Sequence, residues 1–123
     1  MSFTIKYYPK IAIATFKSEV KSLEPTNAFV ELVETGNIKK IDYIIFDFTD
    51  ITAYTVPEDY MERVKFVTEF SVSWNSNIDV IIIATNPEIR FMITAYINHK
   101  DNLKWKYHLF NDMESAKKIF PEI

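Results

Sequence analysis

The sequence predicts one α/β domain over residues 1–123, with a mixed, mainly parallel sheet packed by amphipathic helices in the order β-β-α-β-α-β-α-β-α. Three observations predict it. Ile41–Phe48 and Ile78–Ala84 are near-continuous apolar runs, which suit strands covered on both faces. The segments between and after them carry apolar residues at helical spacing. A chain of 123 residues, 48% hydrophobic, is large enough for one core and leaves little room for a second.

From the N-terminus, Phe3–Tyr8 and Ile11–Phe16 read as two strands joined at Pro9-Lys10, an antiparallel addition to the parallel sheet. Glu24-Pro25-Thr26 opens a helix whose apolar side is Phe29, Val30, Leu32 and Val33, with Gly36 at its C-terminal end. The strand Ile41–Phe48 then runs into an acidic, hydroxyl-rich stretch, Thr49 to Asp59, read as a turn. Pro57 fits the first turn of the next helix, and Glu58 and Asp59 suit its dipole. On that helix Tyr60, Val64, Val67 and Trp74 follow helical spacing, with Met61 and Phe70 on a flank. Asn75-Ser76-Asn77 breaks it, and the strand Ile78–Ala84 comes next. Thr85-Asn86-Pro87-Glu88 has capping-box spacing ahead of the stripe Ile89, Met92, Ile93, Tyr96 and Ile97. Lys104–Phe110 alternates as an edge strand, with Trp105, Tyr107 and Leu109 inward and Lys104, Lys106 and His108 outward. Asn111-Asp112 caps a last helix containing Met113, Ala116, Ile119 and Phe120.

Composition removes whole classes of function. A net charge of -3 gives no basic footprint, so nucleic acid is not an expected partner. No apolar run reaches the length of a membrane span, and Met1–Tyr8 lacks the apolar core of a signal peptide, so a cytoplasmic protein is expected. Without cysteine there is no disulfide, thiolate nucleophile or cysteine metal site. The lone glycine, Gly36, leaves no phosphate-cradling loop. His99 and His108 are too isolated for a zinc site, and the serines lack an elbow sequence. No catalytic residue, metal or cofactor is therefore expected.

Two segments resemble the STAS domain, the fold of bacterial anti-sigma-factor antagonists, in its SpoIIAA-like (STAS/SEC14-type) branch. Asp42–Tyr54 is similar to the family's strand followed by Asp-Leu-Ser/Thr and a turn. Tyr107–Ala116 is similar to its final strand ending in Phe, a polar cap and a helix with an early alanine. The resemblance spans nearly the whole chain and implies a non-enzymatic regulatory module that acts by binding another protein. One departure stands out. Anti-sigma-factor antagonists carry Asp-Ser-Ser-Gly with a phosphorylatable serine, whereas this chain has Thr55-Val56-Pro57-Glu58, which places Val56 at the serine position. A phosphate on the adjacent Thr55 would face repulsion from Glu58 and Asp59.

The carboxyl end of a parallel strand is where open α/β sheets place their sites. The candidate docking residues are therefore Asp47, Thr49, Asp50, Thr52, Tyr54, Thr55 and Glu58, together with the helix after them. Read blandly, Asp47 and Asp50 bond backbone N–H groups in the turn. Arg90, after the next strand, faces either an anionic group or solvent. Among the aromatic residues (10 Phe, 7 Tyr and 2 Trp), Phe66, Phe70, Trp74 and Phe91 are candidates for an apolar surface or pocket. Phe66 and Phe91 fall off the apolar stripes of their helices. The alternative reading is a small apolar or lipid-like ligand held between the sheet and these helices, as the SEC14-type branch implies. A homodimer pairing the off-stripe aromatics is compatible with either.

Overall fold

The computed structural model describes residues 3–21, 24–55, 60–98 and 105–120. Strands β1 (Phe3–Tyr8) and β2 (Ile11–Lys21) form an antiparallel hairpin in which Tyr8 pairs with Ile11. Pro9 presets the turn, and Lys10 closes it at φ 67°, the left-handed conformation a type II turn requires. The Lys10 carbonyl accepts the backbone N–H groups of Asp42 (2.7 Å) and Tyr43 (3.1 Å), so the turn also fixes where the next strand starts.

Helix α1 (Glu24–Glu34) ends at Gly36, whose φ of 78° is the left-handed value that glycine adopts without strain. A short 3-10 turn, Asn37–Lys39, leads to β3 (Tyr43–Thr55). Then come α2 (Tyr60–Trp74), β4 (Asp79–Ile83), α3 (Pro87–Asn98), β5 (Lys106–Phe110) and α4 (Met113–Ala116). The strand order is β1-β2-β3-β4-β5, antiparallel between β1 and β2 and parallel thereafter. Neighbouring parallel strands joined by right-handed crossovers place their helices on one face. The core agrees: residues of α1 (Ala28, Phe29, Leu32), α2 (Val67, Val72) and α3 (Ile89, Ile93) pack on the same side of the sheet. The opposite face, Ile11, Ile13, Ile45, Ile81 and Ile83, is packed by Met113 and Ala116 of α4 and by Ile119 and Phe120 beyond it.

The main departure from expectation is the length of β2 and β3. The sequence reading ends them at Phe16 and Phe48, yet they continue to Lys21 and Thr55. The expected turn at Thr49 is strand. β3 has 13 residues against 11 in β2, and the two extra residues are absorbed by two register shifts. Asp47 pairs with Thr15 and Asp50 with Lys17; Ile51 pairs with Ser18 and Ala53 with Glu19. Each shift is a bulge that adds one residue to β3 and re-aims the side chains beyond it. As a result Ile44, Phe46, Phe48, Ile51 and Tyr54 all face the main core, at spacings of two, two, three and three. Ser18, at φ 60°, takes up the strain on the β2 side.

Three smaller corrections concern helices. The N-cap of α3 is Asn86 rather than Thr85: Asn86 Oδ1 accepts the N–H of Glu88 (2.9 Å) and that of Ile89 (3.4 Å), and Pro87 takes the first helical position. Regular helix in α4 stops at Ala116, although Ile119 and Phe120 keep their apolar contacts. On α2 the buried face centres on Ser71 beside Val67, so Trp74 sits at the rim and Phe70 faces out. Tyr60, Met61 and Val64 fall where no side chain is described.

Candidate functional site

β3 pairs with β4 over Tyr43–Asp47 only, whereas its pairing with β2 runs on to Thr55. Past Asp47 the sheet therefore narrows to a parallel ribbon of β2 and β3 at its carboxyl end. One face of the ribbon is core. Phe48 lies against Phe16 (ring centroids 4.9 Å apart) and Tyr54 (5.8 Å), and Val20 and Ile51 are buried. The outward positions Thr49, Asp50, Thr52 and Thr55 are exposed.

The first bulge is held by its own side chains. Asp47 Oδ1 accepts the Thr49 backbone N–H at 3.0 Å and the Thr49 hydroxyl. This is the short-range carboxylate chemistry of a turn, here used to kink a strand. Asp47 thus does the local work expected of it, in a bulge. Asp50 stands opposite Lys17 in the register, and Thr52 lies in the second bulge. Tyr54 is half-buried against Phe48, so it belongs partly to the core. Thr55 closes the strand opposite Lys21. Glu58, with Val56, Pro57 and Asp59, lies outside the described residues. The structure therefore gathers Asp47, Thr49, Asp50, Thr52 and Thr55 along one strand, with α2 beginning just after it.

The four candidate aromatics lie on the outside of the helices. Phe66 is 74% exposed, Phe70 53%, Trp74 41% and Phe91 76%. Residues this open do not line a cavity between helices and sheet. Phe70 and Trp74 meet edge to face with centroids 6.4 Å apart, and Lys39 Nζ lies 4.6 Å from the Trp74 ring centroid.

Arg90 corrects both readings offered for it. Its Nη1 donates to the carbonyls of Ala84 (2.8 Å) and Phe110 (3.2 Å), tying together the ends of β4 and β5. His108 Nε2 lies 3.9 Å from Asp79 Oδ2. His99 lies outside the described residues. The buried Ser71 hydroxyl donates to the Val67 carbonyl at 2.9 Å, and Ser73 donates to the Phe70 carbonyl. Among the described residues no three His, Asp or Glu side chains gather as a metal site, and no helix is long and apolar enough to cross a membrane.

Sequence reasoning missed Asn75, taken only as a helix breaker. Its Nδ2 donates to the carbonyls of Ile38 (2.8 Å) and Ile41 (2.9 Å), its Oδ1 accepts the Asn77 N–H (2.9 Å), and its carbonyl accepts Trp105 Nε1–H (2.8 Å). The sole local signal was an Asn at a helix end followed by Ser-Asn.

No family model matches the sequence, and no curated protein matches it. Solved structures do match in shape. The anti-sigma factor antagonist SpoIIAA in its unphosphorylated form superposes with a TM-score of 0.58 at 11% identity, covering 94% of each chain. An uncharacterised DUF3478-family protein from Shewanella loihica PV-4, described as having a SpoIIAA-like fold, superposes with a TM-score of 0.56 at 11% identity, covering 94% of this chain and 89% of that one. Near-complete coverage at these TM-scores gives one conclusion: this chain, with its mainly parallel sheet and one antiparallel strand pair, has the SpoIIAA-like, STAS-type fold.

Proposed function

We propose that this protein is a cytoplasmic, non-enzymatic regulatory module that docks another protein through the exposed end of β3. The observation that carries the reading is the ribbon past Asp47, with Thr49, Asp50, Thr52 and Thr55 presented outward at the carboxyl end of the sheet. The solved example of this fold named an anti-sigma factor antagonist lends the regulatory half of the proposal. Recognition here is polar. Hydroxyls and a carboxylate on a rigid strand supply directional hydrogen bonds, and a strand edge lends itself to pairing with an incoming segment. With Val56 at the position of the family's phosphorylatable serine, switching by that phosphate has no acceptor, and control passes to partner supply or self-association.

The test compares wild type with Asp50→Lys as bait in extract from the source cells, with bound proteins quantified by mass spectrometry. Asp50 is exposed, so the variant should keep the wild-type fold with only a small loss of stability from a second positive charge opposite Lys17. We expect a partner retained by wild type to fall by at least about tenfold on the variant. Equal retention by both proteins would remove the strand end as the docking site.

A further inference from the structure

The outer face of α2 carries a pattern that the docking reading does not use. Glu62, Phe66, Phe70 and Trp74 recur every fourth residue, forming one continuous ridge of the kind by which helices interlock. All four are exposed, and the aromatic exposure rises to 74% at Phe66. The ridge is also polar at its ends in opposite senses. Glu62 stands beyond Phe66, and Lys39 lies over the ring of Trp74 at 4.6 Å.

From this we infer that the ridge is a self-association surface, and that its occupant is α2 of a second copy of this chain. In a two-fold contact each residue meets its counterpart's partner. With the two α2 helices running in opposite directions, Phe70 lies at the axis, Phe66 meets Trp74 of the other copy, and Glu62 meets its Lys39. Running them in the same direction would set Glu62 against Glu62 and Lys39 against Lys39, which charge repulsion disfavours. The pattern is self-complementary in one orientation only.

The available area sets the strength. At about 150–250 Å² per aromatic side chain, the exposed parts of Phe66, Phe70 and Trp74 offer about 300 Å² per copy. A standard interface needs about 800 Å² per partner, so the ridge is the apolar centre of a contact whose rim is polar. Such a dimer is reversible and concentration-dependent. This inference stands apart from the docking reading, because Asp50 is not part of the ridge.

Sedimentation equilibrium of the full chain, from about 1 µM to about 500 µM, tests it. Wild type should pass from monomer to dimer across that range. Phe70→Asp, at an exposed position, should keep the wild-type circular dichroism and weaken dimerisation by at least about tenfold. Glu62→Lys should weaken it several-fold, and Glu62→Lys combined with Lys39→Glu should restore it, because the pair is swapped across the axis. A monomer at every concentration would overturn the inference and leave the ridge to a different protein. So would a dimer indifferent to Phe70→Asp, or a double variant no better than Glu62→Lys alone.

Discussion

Asn75 shows how much one side chain can organise. Its amide spans the carbonyls of the 3-10 turn and of Ile41, just ahead of β3, while its own carbonyl anchors the Trp105 indole ahead of β5. Removing the amide leaves two partly buried carbonyls without their donor. An unsatisfied buried polar group costs about 1–3 kcal/mol, so Asn75→Ala should destabilise the protein by about 2–4 kcal/mol. Urea unfolding with an unchanged slope and a lowered midpoint checks this. A loss under about 0.5 kcal/mol would mean that water replaces the amide freely. Nothing in the residue type announced this role, because its partners are 37 and 34 positions away in the chain. Arg90 was hidden in part for the same reason: one of its acceptors, Phe110, is 20 positions away at the end of a different strand.

At the scale of elements, β3 explains both the success and the failure of the sequence reading. Strand and helix order was legible because apolar runs and helical stripes report which faces are buried. The end of β3 was not. Bulges stretch the apolar spacing of Phe48, Ile51 and Tyr54 from two to three, and a strand with that spacing imitates a turn rich in Asp and Thr. The exposed aromatics Phe66 and Phe91 were legible as off-stripe residues, since helical phase alone sets their direction. On α2, Ser71 on the buried face blurred the phase enough to put Trp74 on the inward stripe, although it stands at the rim.

The short α4 carries a consequence in pH. Asp112 caps it by accepting the Ser115 backbone N–H at 2.8 Å, and that bond, then the Ser115 side chain, holds the Asp112 carboxyl below the usual carboxylate range. A depressed folded-state value means that its stabilisation is fully present above the ordinary value of about 3.9 and is lost as pH falls through the lower folded one. Wild type should therefore lose stability over that acid window, and Asp112→Ala should lose less across it while starting from a lower urea midpoint at neutral pH. Parallel acid profiles for the two proteins would contradict the role assigned to this cap.

For the whole molecule, the division of labour is between two faces and one end. The face bearing α1, α2 and α3 supplies the main core, and the opposite face is closed by α4 and the residues after it. The carboxyl end holds the β2–β3 ribbon, whose outer side chains are exposed while its inner ones are locked into the core. A rigid strand presenting hydroxyls and a carboxylate is suited to recognition, and the fold it sits on is that of SpoIIAA. The candidate strand residues were readable as a group because they cluster in the sequence, whereas their geometry rested on bulges that only the paired strand β2 defines.

The most direct measurement replaces Thr52 with a photo-crosslinking amino acid in the source cells and, as a control, places the same group at Lys106, at the amino end of the edge strand β5. After irradiation, docking at the end of β3 predicts a discrete protein adduct from position 52 that is absent from position 106 and lost when Asp50→Lys is added. No adduct at position 52, or the same adducts from both positions, would contradict it.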